Sequence, residues 1–68
     1  MTIHVNGESR GIGDGQTVAG LLQELDIRTD RVAVEVNLEI LDRKDFEIRG
    51  LREGDRVEIL SFIGGGAN

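Results

Sequence analysis

The sequence predicts an α+β domain in which one short helix covers one face of a mixed sheet of four to five strands. Three observations predict it. Apolar and polar residues alternate with a period of two in three places: Ile3 and Val5, then Val32, Val34 and Val36, then Val57 and Ile59. Between the first two stretches, Val18, Leu21, Leu22 and Leu25 recur at the i, i+3, i+4, i+7 spacing of one helix face. The 68 residues, 38% of them hydrophobic, make a single domain whose core is too small to accompany a deep substrate pocket.

Met1 to Asn6 places Ile3 and Val5 on one face and Thr2, His4 and Asn6 on the other, as in a half-buried strand. Asn6-Gly7 is the strongest short hairpin signal, a type I′ pair, and Glu8 to Ile12 returns as a short, edge-like strand. The run Gly11-Ile12-Gly13-Asp14-Gly15-Gln16-Thr17 has the glycine content of a phosphate-binding loop. Gln16, however, stands where a dinucleotide fingerprint needs its third glycine and where a P-loop needs its lysine. The run is read instead as a turn into a helix whose N-cap is Thr17. Gly20 inside that helix costs about 1 kcal/mol relative to alanine, so the leucine stripe must be stabilised by packing on a sheet. Asp26 ends the helix and Ile27 folds back over the same core.

Arg28 to Arg31 is a polar connection into a third strand, Val32 to Val36, with its valines inward and Ala33 and Glu35 outward. Asn37-Leu38-Glu39 turns the chain, Ile40-Leu41 is at most a short fourth strand, and Asp42 to Asp45 is a charged bend. Phe46, Ile48 and Leu51 are expected in the core. Arg52-Glu53-Gly54-Asp55 is a tight turn whose carboxylates belong to a solvated face, and Arg56 to Ile63 forms the last strand. This order suits the β-grasp, whose first and last strands lie parallel in the middle of the sheet while the face away from the helix stays open.

Composition narrows the function. With no cysteine, disulfides, thiolate metal sites, iron–sulfur clusters and a cysteine nucleophile are excluded, and His4 is the only histidine. A net charge of −5 disfavours phosphate backbones and suits a partner with a basic face. No nucleic-acid or membrane partner is expected. The N-terminus lacks the pattern of a signal peptide and no apolar run reaches membrane-span length, so the cytoplasm is the expected location.

The chain finishes Ser61-Phe62-Ile63-Gly64-Gly65-Gly66-Ala67-Asn68. Three successive glycines do not hold a structure alone, and the expected division is a domain over 1–63 with a flexible glycine-rich tail over 64–68. Such an arm is slim enough to thread another protein's active site. Alternation along the last strand turns Glu58, Leu60 and Phe62 to the open face beside His4. Leu60, Phe62 and Ile63 would then form an apolar docking surface, ringed by acid, next to the arm.

These segments together resemble the thiamine-biosynthesis sulfur-carrier proteins, the ThiS family of ubiquitin-like β-grasp domains. The resemblance rests on Ile3-His4-Val5-Asn6-Gly7-Glu8, Thr17-Val18-Ala19-Gly20-Leu21-Leu22 and Val32-Ala33-Val34-Glu35-Val36-Asn37 with Glu39-Ile40-Leu41. It is completed by Leu51-Arg52-Glu53-Gly54-Asp55-Arg56-Val57-Glu58-Ile59 and by Phe62-Ile63-Gly64-Gly65-Gly66. It implies a substrate protein rather than an enzyme, with no bound cofactor. An E1-like, ThiF-type enzyme would use ATP to adenylate the carboxylate of Gly66. A sulfur donor such as a cysteine desulfurase would turn it into a thiocarboxylate, and a ThiG-type thiazole synthase would take the sulfur. Gly65 and Gly64 would thread the partner's active site. The family pattern stops at the glycine pair, whereas here Ala67-Asn68 follow, so a C-terminal processing protease is expected. Asp42, where relatives often carry proline, is a smaller departure. The alternatives are a processed carrier for sulfur-amino-acid or molybdopterin synthesis, a ubiquitin-like modifier, or a non-covalent binding module.

Overall fold

The computed structural model describes residues 1–62. Five strands, β1 (Thr2–Val5), β2 (Glu8–Gly11), β3 (Val32–Val36), β4 (Glu39–Leu41) and β5 (Arg56–Ser61), form one sheet in the order β2-β1-β5-β3-β4. β1 and β5 pair in parallel, with Val5 beside Val57, and the other pairings are antiparallel. This is the expected β-grasp. The one α-helix among the described residues, α1 (Val18–Glu24), is capped by Thr17, whose hydroxyl accepts from the Gly20 N–H at 3.1 Å.

Alternation decides what is buried. Ile3, Val34 and Val57 from the three central strands meet Val18, Leu21 and Leu22 from α1, and all six are fully buried. Phe46 and Leu51 close the same core from the long connection before β5. That connection is tied to the start of α1: Ala19 N–H donates to the Phe46 carbonyl at 2.8 Å, and Leu51 N–H to the Gln16 carbonyl at 2.8 Å.

Four expectations need correction. Ile48 is 76% exposed rather than core. The Ile48 and Arg49 N–H groups both donate to the Asp45 carbonyl, at 3.1 and 2.9 Å, so a tight turn carries Ile48 outward between its buried neighbours Phe46 and Leu51. Asp55 is buried rather than solvated, because its carboxylate accepts from Asn37 Nδ2 at 3.0 Å and from the Arg52 N–H at 2.9 Å. Glu39 belongs to β4 and not to the turn, since Val36 pairs with it directly and leaves a two-residue loop of Asn37 and Leu38. Finally, β5 ends at Ser61, and Phe62 keeps only one ladder bond, from its N–H to the Arg31 carbonyl at 3.0 Å.

Both hairpin turns use left-handed backbone at their two central residues. Asn6 and Gly7 have φ of 50° and 87°, and Asn37 and Leu38 have 54° and 73°. These signs match the type I′ geometry that suits the twist of a two-residue hairpin.

Candidate functional site

The site is built on the face of the sheet that α1 leaves bare. Val57 is fully buried and Ile59 packs against the core, so the residues between and beyond them, Glu58 and Leu60, turn the other way. Phe62 is 64% exposed and Leu60 50%. The expected orientation of Leu60 therefore holds, and Phe62, one residue past the end of β5, is exposed. His4 lies level with Arg56 in the parallel register and is on the same face, half-buried.

Register places Ala33, already outward by alternation, beside Leu60, and adds one residue that alternation along one strand could not supply, Ile40. Ala33 pairs with Leu60, and Ile40 pairs with Glu35, which itself pairs with Glu58. Directly paired residues share a face, so Ala33 and Ile40 join the open surface. Ile40 is 75% exposed. The signal that would have found it is the hairpin register, which depends on the loop being two residues long.

The result is an apolar strip of Ile40, Ala33, Leu60 and Phe62 crossed by the carboxylates of Glu35 and Glu58. A surface of this kind can hold an apolar face of another protein at its centre and basic side chains at its rim. Near Phe62, Arg28 grips Asp30 through two hydrogen bonds of 3.0 and 3.2 Å. Partial desolvation raises the pKa of Asp30, but the hydrogen bond and charge of Arg28, the backbone N–H of Asp30 itself and the charge of Arg31 together lower it.

Four of the sequence-derived site residues, Ile63, Gly64, Gly65 and Gly66, lie outside the described residues, as do Ala67 and Asn68. The structure brings Leu60 and Phe62 together at the end of β5 that leads into them. Among the described residues no group of three or more His, Asp or Glu side chains is placed to hold a metal ion. No helix among them is long and apolar enough to cross a membrane.

Comparison with known proteins matches the ThiS family over residues 3–66. The chain is 41% identical over 68 residues to a thiazole synthase of Paramagnetospirillum magneticum, covering 100% of this chain but 21% of that protein. It thus spans about a fifth of the length of that relative. It is 32% identical over 66 residues to the sulfur carrier protein ThiS of Escherichia coli, covering 97% of this chain and 100% of that one. A crystal structure of the thiamine biosynthesis protein (ThiS) from Geobacter metallireducens superposes with a TM-score of 0.84 at 36% identity. That superposition covers 97% of this chain and all of that one.

Proposed function

The chain belongs to the ThiS family, and from that premise we propose that it is a sulfur carrier for thiazole formation in thiamine biosynthesis, acting as a substrate protein and not as a catalyst. The observation that carries the proposal is the family match through Gly66, joined to an open apolar strip at the strand end that leads to Gly64, Gly65 and Gly66. A carboxylate is a poor electrophile. An ATP-dependent activating enzyme would adenylate Gly66 and so create a leaving group. The outer sulfur of a persulfide from a cysteine desulfurase would then displace AMP and form an acyl disulfide. A second protein thiol attacking the inner sulfur of that disulfide would release the thiocarboxylate and itself end in a disulfide. The ATP belongs to the activating enzyme, and the carrier itself holds no cofactor. Glycine suits the slot of such an enzyme because a β-carbon at Gly64 or Gly65 would crowd it.

The recipient proposed is a thiazole synthase. The likeness to proteins of that name, over a fifth of their length, supports it. In this sequence Gly66 is followed by Ala67, so the Gly66–Ala67 amide must be hydrolysed before Gly66 presents a carboxylate. That step calls for a processing protease, and the pathway as a whole would run in the cytoplasm.

The decisive test is the mass of the C-terminal peptide of the endogenous protein from its native host grown without thiamine. A terminus at Gly66, with sulfur replacing one terminal oxygen in part of the sample, is the expected result. A Gly66–Ala67 bond intact in every molecule, with no sulfur, would overturn the proposal. The strip is proposed to dock the activating enzyme. Leu60→Ala combined with Phe62→Ala should weaken that binding roughly tenfold to a hundredfold, as loss of two apolar anchors does, and unchanged binding would refute the docking assignment.

A further inference from the structure

The end of β5 that leads to the glycines is supported unequally. Along its β3 edge the ladder runs the whole way, from Val36 beside Val57 to Val32 beside Ser61. Along its β1 edge the backbone ladder stops early, because the chain turns away at Asn6 and Gly7 after the Asn6 N–H has donated to the Val57 carbonyl at 2.9 Å. The next rung belongs to Ile59, and a side chain supplies it. Ile59 N–H donates to Asn6 Oδ1 at 2.7 Å, and Asn6 Nδ2 donates to the Ile59 carbonyl at 3.4 Å. The Asn6 amide thus stands where a continuing β1 backbone would have stood.

Support from the helix side is thin at the same place. An open cleft of about 590 Å³ lies there, lined by Val5, Asn6, Ile27, Arg31 and Ile59 among others. Ile59 packs on the core only in part, whereas Val57 is fully buried, so packing fixes this end of β5 less fully and the hydrogen bonds carry a larger share.

We propose that Asn6 is a positioning residue for the reactive end of the chain: by completing the β1 edge at Ile59 it fixes the direction in which β5 delivers Leu60, Phe62 and the glycines to the activating enzyme. The inference rests on the carrier function proposed above. Asn6 has two separable duties. Its positive φ is a turn requirement that glycine also meets, whereas its Oδ1 is a ladder acceptor that glycine lacks and aspartate keeps.

The test uses chains ending at Gly66, with adenylation by the activating enzyme as one readout and amide hydrogen exchange as the other. Asn6→Gly should raise the KM for the carrier about threefold to tenfold, the worth of one hydrogen bond, and leave kcat unchanged. The ordering of β5 is a cost met on binding, while the enzyme's slot sets the geometry once the carrier is bound. Exchange at Ile59 should accelerate while that at Val34 and Leu22 does not. Asn6→Asp should restore most of the KM. An unchanged KM in Asn6→Gly, no recovery in Asn6→Asp, or exchange accelerated equally throughout the domain would each overturn the inference. Failure of the unsubstituted chain to be adenylated would instead overturn the carrier function, and the positioning role with it.

Discussion

The two hairpin turns of this domain solve the same problem with different materials. Asn6-Gly7 joins β1 to β2 and Asn37-Leu38 joins β3 to β4, and all four residues have positive φ. Both asparagines then lend a side-chain oxygen to β5 in place of a carbonyl that the turn has taken away. Asn6 Oδ1 accepts from Ile59 N–H at 2.7 Å, and Asn37 Oδ1 accepts from Arg56 N–H at 3.0 Å. The central strand is thus held near each end by one turn asparagine. The differences lie in burial and in the second turn residue. The Asn37 side chain also donates to the buried Asp55 at 3.0 Å, whereas the Asn6 side chain makes exposed bonds to Ile59. Gly7 suits its conformation, while Leu38 bears a side chain that is 87% exposed at φ 73°. One turn is optimised in its glycine and the other in its hydrogen bonds.

The largest effect expected from this comparison is at Asn37. Asn37→Ala takes the partner from Oδ1 of the buried Asp55 carboxylate and from the Arg56 N–H. It also replaces an asparagine, which tolerates positive φ, by a residue that tolerates it less, so it should lower unfolding free energy by about 2–3 kcal/mol. Asn6→Ala should cost about 1 kcal/mol, since its bonds are exposed. Equal costs in urea denaturation would break the contrast. At the second turn position the order reverses. Gly7→Val, which forces a β-branched residue to φ 87°, should destabilise by about 1–2 kcal/mol. Leu38→Gly should stabilise by about 0.5–1 kcal/mol, because relief of the left-handed strain exceeds the entropy that glycine loses. A fall in stability for Leu38→Gly would show that the leucine makes contacts worth more than its strain.

What could be read in the sequence was whatever depends on neighbours along the chain. The leucine spacing of α1, the Thr17 cap, the Asn6-Gly7 turn and the alternation of β3 are all local patterns with one physical solution. Leu60 followed from the same logic, because orientation along one strand needs only a parity. Ile48 did not. Its place depends on a turn closed by the Asp45 carbonyl, and nothing in its apolar character reports that turn. Asp55 was missed for the opposite reason: an acid in a turn is solvated by default, and its burial depends on Asn37, a partner brought close only by the pairing of β3 with β5. Ile40 needed the register of a hairpin. The tail glycines alone do not separate a frayed terminus from a threading arm, and it is the segments before them that carry the resemblance; the family match extends to Gly66.

The strand order has a consequence for synthesis and folding. β5 is made last, yet it lies between β1 and β3. Until it arrives, the sheet exists only as two hairpins, β1-β2 and β3-β4, with no backbone rung between them. Each is a two-stranded unit too small to persist alone. The nascent polypeptide therefore has no stable intermediate to occupy while it emerges from the ribosome. Joining Val5 to Val57 brings together residues 52 positions apart (57 − 5), a high contact order that slows the final step. Cooperative folding is thereby tied to translation of the segment that leads into the glycines. A prematurely terminated product lacking β5 would be unfolded and open to proteolysis.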